Sequence, residues 1–165
     1  MIYMDKLFDA VDKVLFTDRP EAVPYNYRIS YKVAQLCLIL AKCCGRGGCS
    51  ILKLHMIALA LASEDDMKML IDFANNIIYE YTLIRFDPAV NRAVNYALAD
   101  RMFTQQANGL YRLTAKGKNF VREIDKDTDM MAREKNLLNR LSNKLTEAKI
   151  KDLMSTWRYA NASNQ

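Results

Sequence analysis

One short tract limits this chain's fold more than any other. Asp87-Pro88 opens a helix, with a carboxylate at the N-cap and proline at the first helical position, where a missing N–H costs nothing. Val90, Ala93, Val94, Ala97, Leu98 and Met102 then recur at helical spacing. Met102-Phe103-Thr104-Gln105 and Leu110-Tyr111-Arg112-Leu113 flank Gln106-Ala107-Asn108-Gly109. Asn-Gly between two alternating stretches predicts a β-hairpin, because both residues tolerate positive φ. Thr114 caps the next helix, which sets Phe120, Val121 and Ile124 on one face and turns Lys116, Lys118 and Arg122 to solvent. Helix, hairpin, helix in this order predicts a winged helix inside a mainly α domain with one small β-hairpin.

The rest of the chain reads as helices around that unit. Its 165 residues suit one core, and 5 Gly and 3 Pro are too few for a many-turned all-β fold. Leu7, Phe8, Val11, Val14 and Leu15 predict a helix over Asp5 to Phe16, stopped by Asp18-Arg19-Pro20 and Pro24. From Ser30, the run Val33, Leu36, Cys37, Leu40, Ala41 and Cys44 predicts a helix ending at Gly45. Ser50 caps Ile51 to Leu61, apolar on nearly every side except at Lys53 and His55 and therefore expected at the centre of the fold. Ser63 and Asp66 start a helix through Phe73 and Ala74, and Ile77 to Phe86 reads as a strand or an extended connection.

From Asp129 a basic amphipathic tail follows. Met131, Leu138, Leu141, Leu145 and Ala148 form a partial heptad, broken at Ser142-Asn143 or Thr146, before a last helix that ends near Trp157. The organisation is thus an N-terminal helix and linker over 1–28, a helical winged-helix core over 29–128, and C-terminal helices over 129–165. Those last helices belong either to the same domain or to a partner-docking tail.

Chemistry is constrained by what is scarce. With His55 as the single histidine, the chain has few ways to build a hydrolytic triad or a metal-hydrolase site, and no catalytic residue, metal or cofactor is expected. Cys37, Cys43, Cys44 and Cys49 are too close together for a disulfide framework and match no familiar zinc spacing, so they read as free thiols in a reducing cytoplasm. Gly45-Arg46-Gly47-Gly48 lacks the spacing of a phosphate-binding loop and reads as a sharp turn between helices. His55 reads as a buried, hydrogen-bonded residue, and Glu64-Asp65-Asp66 as favourable charge at a helix N-terminus. Acidic residues interrupt the opening apolar stretch, so no signal peptide is expected, and no unbroken apolar run is long enough to span a membrane.

Charge is uneven along the chain. Of 24 Lys and Arg, 13 lie in residues 101–165 beside only 7 acidic residues, which hints at an anionic partner. The expected DNA or partner contacts are Arg92 and Arg101 on the first helix of the wing unit, with Arg112, Lys116, Lys118 and Arg122 on the wing and the next helix. Winged helices also serve as protein-docking modules, so both uses stand at this point. Arg46, Leu138, Leu141, Leu145 and Trp157 are the expected partner-docking residues, with core packing the alternative for the leucines.

Three segments together resemble a family: RISYKVAQLCLILAKCCGRGGCSILKLHMIALALAS, IRFDPAVNRAVNYALADRMF and NGLYRLTAKGKNFVREI. They look like the middle components of bacterial ABC-three-component systems, which are similar to the small subunit of Lamassu-type antiphage defence. The resemblance covers about residues 28–155. Its landmarks are Gly45-Arg46, Leu54-His55, Arg85-Phe86-Asp87-Pro88 and Leu113-Thr114 to Lys118, all given structural roles, and the Cys-rich turn has no counterpart in the pattern. The resemblance implies a winged-helix-bearing accessory subunit that works beside an SMC-like ABC ATPase and a separate effector such as a nuclease. With no assembled catalytic set, the expectation is a non-enzymatic adaptor in a hetero-oligomer, docked on that ATPase and linking it to the effector; the basic winged-helix pattern adds double-stranded DNA as a further partner, and no membrane partner is expected. The alternative is a dimeric winged-helix transcriptional regulator.

Overall fold

The computed structural model describes residues 28–82 and 84–162, so the Asp5–Phe16 helix lies outside the described residues. The elements are α1 (Ile29–Cys43), α2 (Ile51–Ala60), α3 (Glu64–Ala74), α4 (Pro88–Ala99), β1 (Phe103–Gln105), β2 (Tyr111–Leu113), α5 (Ala115–Lys126), α6 (Ala132–Leu141), a 3-10 turn (Ser142–Lys144) and α7 (Glu147–Ala162). Among the described residues none of these helices is long and apolar enough to cross a membrane.

Four helix starts follow from their caps. The side chains of Ser50, Ser63, Asp87 and Thr114 accept hydrogen bonds from the backbone N–H of Lys53, Asp66, Ala89 and Gly117, each satisfying a donor that the first helical turn leaves free. The predicted boundaries need three corrections. Helix α1 stops at Cys43 instead of Gly45, α4 stops at Ala99 so that Met102 belongs to the hairpin approach, and α7 runs past Trp157 to Ala162. The described residues between Ile77 and Phe86 form no strand, although Tyr81 is buried there against Phe73, ring centroids 5.3 Å apart. Their β-branched and aromatic side chains favour extended backbone, but the sheet of this fold lies elsewhere.

The hub is α1 rather than α2. It packs against α4, α5 and α6 as well as α2 and β2, and every residue from Lys32 to Leu40 is buried. The α2 residues Leu54, His55, Met56 and Ile57 fill the core beside it. His55 is held by both nitrogens: Nδ1 accepts from the Asp87 backbone N–H at 3.2 Å, and Nε2 lies 3.0 Å from Asn91 Oδ1. The first bond requires Nδ1 to be unprotonated, so the proton sits on Nε2 and is donated to Asn91, fastening α2 to the start of α4.

The C-terminal helices belong to the same core. Leu137, Leu138, Leu141, Leu145, Ile150 and Leu153 all join the apolar cluster built by α1 to α5. Leu138, Leu141 and Leu145 have no exposed surface at all. These three leucines are therefore core residues and not a docking surface, because an apolar stripe already covered by α1 and α3 has nothing left to offer a partner.

Strands β1 and β2 pair antiparallel, with Phe103 opposite Leu113, Thr104 opposite Arg112 and Gln105 opposite Tyr111. The connecting turn differs from the expected form, since only Gly109 takes positive φ (81°), while Asn108 keeps an ordinary backbone and accepts from the Leu110 N–H through Oδ1. A third strand position is added from outside: Cys49 and Tyr111 exchange two backbone hydrogen bonds, of 2.9 and 2.8 Å. Gly48 makes this approach possible. Its φ is 92°, and a Cβ there would meet Gln106 Nε2 at 2.7 Å and the Tyr111 carbonyl at 2.8 Å. Gly117 plays the same part under α5, where a Cβ would run into the Met102 carbonyl and lie 2.8 Å from Leu113 Cδ2.

Basic side chains close the helix ends. Lys53 Nζ donates to the Cys43 carbonyl at the end of α1 (2.9 Å), and Arg133 reaches the Leu61 carbonyl at the end of α2 (2.9 Å). Lys149 takes the Phe73 and Ala74 carbonyls of α3, Lys116 the Asp100 carbonyl after α4, and Lys135 the Ile124 and Asp127 carbonyls of α5. A cation suits each place, since the last carbonyls of a helix lack intrahelical donors and carry partial negative charge. Much of the positive excess after residue 101 is thus used inside the molecule. This revises what the charge asymmetry implies: Lys116, Arg133, Lys135 and Lys149 hold helices together.

Candidate anion-binding cleft

The Gly45–Gly48 turn does more than reverse the chain. Clamped to the hairpin by the Cys49–Tyr111 rung and by a 3.1 Å bond from Gln106 Nε2 to the Gly47 carbonyl, it carries Arg46 to a cleft of about 340 Å³. Arg112 from β2 and Lys118 and Arg122 from α5 line the same cleft. Helix geometry brings the last two together, because residues four apart lie one above the other. Leu40, Tyr111, Leu113 and Val121 supply an apolar wall, and Cys44 lines it beside Gly45.

No carboxylate lines this cleft, and among the described residues none of its four cations forms an ion pair. Several cations outside it do find carboxylates: Lys42 lies 3.4 Å from Asp125, Lys32 3.4 Å from Asp87, and Lys116 2.8 Å from Asp100. Like charges crowded without counter-charge oppose folding, so the cleft is a place where an anion would relieve repulsion. Chemically it offers three planar guanidinium forks and one ammonium, groups suited to phosphate or carboxylate oxygens.

The expected contact residues therefore divide. Arg46, Arg112, Lys118 and Arg122 come together, with Arg46 moving from the docking group into the anion group. Arg92 is exposed on α4 but lines no part of the cleft. Arg101 is also exposed and sits beyond the helix end with φ 58°, not on the helix as expected. Lys116 is engaged by the carboxylate and carbonyl of Asp100. Trp157, half-buried, lines a separate cavity of about 410 Å³ with Phe73, Tyr81 and Lys149. Tyr81 was not singled out from the sequence, yet its buried hydroxyl has no hydrogen-bond partner among the described residues, and burial together with nearby Asp66 pushes its pKa up.

All four cysteines are free and buried, but their environments differ. Burial pushes the Cys37 and Cys43 thiols up to about 12. Burial also raises Cys49 well above the ordinary thiol range, whereas the hydrogen bond from Cys49, helped by the Lys53 charge, lowers Cys44. At pH 8 a thiol of pKa near 12 is ionised in about one molecule in ten thousand, and the thiolate is the reactive form. Brief alkylation of the folded protein with iodoacetamide at pH 8 should thus mark Cys44 first and leave Cys37, Cys43 and Cys49 nearly untouched, as read by peptide mass mapping. Equal labelling of all four would contradict this ordering.

Comparison with known proteins gives no matching family model, no matching curated protein and no matching solved structure.

Proposed function

We propose that this protein is a non-enzymatic accessory subunit of a bacterial antiphage defence complex, working in the cytoplasm. It docks on an SMC-like ABC ATPase, links that ATPase to an effector such as a nuclease, and touches duplex DNA through its helix–hairpin–helix face. The observation that carries the DNA contact is the set of four cations, Arg46, Arg112, Lys118 and Arg122, left without counter-charge in a molecule that pairs or caps with so many of its others. A winged-helix layout is supported by the order α4, β1, β2, α5, in which the outside Cys49–Tyr111 rung adds a third strand position to β1 and β2. The docking role rests on the resemblance to the middle components of ABC-three-component systems.

Co-expression with the genes adjacent to its own tests the assembly. Affinity purification of the tagged subunit in gentle salt, followed by native mass spectrometry, should recover a stoichiometric complex with a large coiled-coil ATPase. Recovery of a lone homodimer that binds one short operator would replace this reading with that of a transcriptional regulator.

A further inference from the structure

A duplex backbone would use the charge of the basic cleft but not its concavity. Internal phosphodiesters carry one negative charge each and are strung along a convex strand, so cations that follow them are expected in a row across a surface. Here four cations from the turn, β2 and α5 surround one concavity, and no carboxylate shares it. Such convergence matches a compact group bearing several charges. A terminal phosphate contributes up to about two negative charges and each further phosphate one more, so a triphosphate brings roughly four.

The remaining wall says what is attached to the charge. Leu40, Tyr111, Leu113 and Val121 line the same cleft as the cations, an apolar and aromatic surface that inorganic phosphate would leave unused. A volume of about 340 Å³ falls within the range of small-molecule sites, roughly 300–1,000 Å³. The turn bearing Arg46 is already fixed to the hairpin by Cys49 and Gln106, so its ordering cost is met before a ligand arrives. We infer that the cleft bounded by Arg46, Arg112, Lys118 and Arg122 binds a nucleoside polyphosphate, its phosphates among the four cations and its base against the apolar wall. The site does not use a phosphate-binding loop, since side chains and not a glycine-rich helix N-terminus provide the positive field.

This inference concerns the same residues as the DNA contact but does not depend on it, and one set of titrations separates the two. The full chain is titrated calorimetrically at physiological salt with ATP, GTP, AMP, adenosine and tripolyphosphate, and in parallel with a blunt duplex. A nucleoside triphosphate should bind at least tenfold more tightly than AMP, with adenosine silent. The double variant Lys118→Gln, Arg122→Gln should lose at least tenfold in triphosphate affinity at an unchanged melting temperature. Lys151→Gln, which lines no part of the cleft, should bind as the unaltered protein does. Absence of triphosphate binding at millimolar concentration overturns the inference, and tripolyphosphate binding as tightly as ATP and GTP overturns its nucleoside part. Duplex binding without nucleotide binding sinks this inference alone, and nucleotide binding without duplex binding sinks only the DNA contact.

Discussion

Replacing Leu138 by aspartate is expected to leave no soluble folded protein. Leu138 has no exposed surface, its backbone carbonyl accepts the Cys43 thiol at 3.4 Å, and α6 is packed between α1 and α3. An unpaired carboxylate in such a place costs several kcal/mol, against a total stability of about 5–15 kcal/mol for a domain. The milder Leu138→Ala keeps the result readable. Loss of a fully buried leucine costs about 2–5 kcal/mol, and at this chain length each kcal/mol lowers the melting temperature by about 2–4 °C. Thermal unfolding followed by circular dichroism measures the difference. An Ala variant that melts with the unaltered protein would return α6 to the role of an exposed docking helix.

Reversing the four cleft charges together, Arg46→Glu, Arg112→Glu, Lys118→Glu and Arg122→Glu, is expected to weaken duplex binding at least a hundredfold, whatever the sequence of the duplex. Each cation that neutralises one phosphate contributes about 0.9 to the slope of log affinity against log salt, so up to about 3.6 of that slope should disappear. Fluorescence anisotropy between 50 and 200 mM salt, roughly the range over which such contacts lose most affinity, gives both quantities. Lys116→Glu makes the contrast. Its ammonium serves Asp100, so its replacement should lower the melting temperature, by freeing the end of α4, more than it lowers affinity. Identical isotherms for the fourfold variant and the unaltered protein would remove the cleft from DNA contact.

What was legible in the sequence was local. The caps Ser50, Ser63, Asp87 and Thr114 act on an N–H two or three residues away, and the hairpin is set by residues 106–110, so short windows contain both partners. The amphipathic stripe of Leu138, Leu141 and Leu145 was visible too, but a stripe carries no address, and only packing shows that α1 and α3 occupy it. The candidate site was half legible. Arg112, Lys118 and Arg122 lie close in sequence, whereas Arg46 joins them through the Cys49–Tyr111 rung, a single residue pair that leaves no periodicity to read. The cationic caps were hidden for the same reason: Lys149 and the Phe73 carbonyl are brought together by the whole fold.

Those caps bear on how the molecule comes apart. The end of α1 is closed from α2, that of α2 from α6, that of α3 from α7, that of α4 from α5, and that of α5 from α6. Each helix from α1 to α5 thus takes a cation from another segment at its end, so fraying at one place releases a cation from another. Local melting is thereby converted into a shared event, and the chain is built to unfold in one cooperative step instead of shedding its C-terminal helices first.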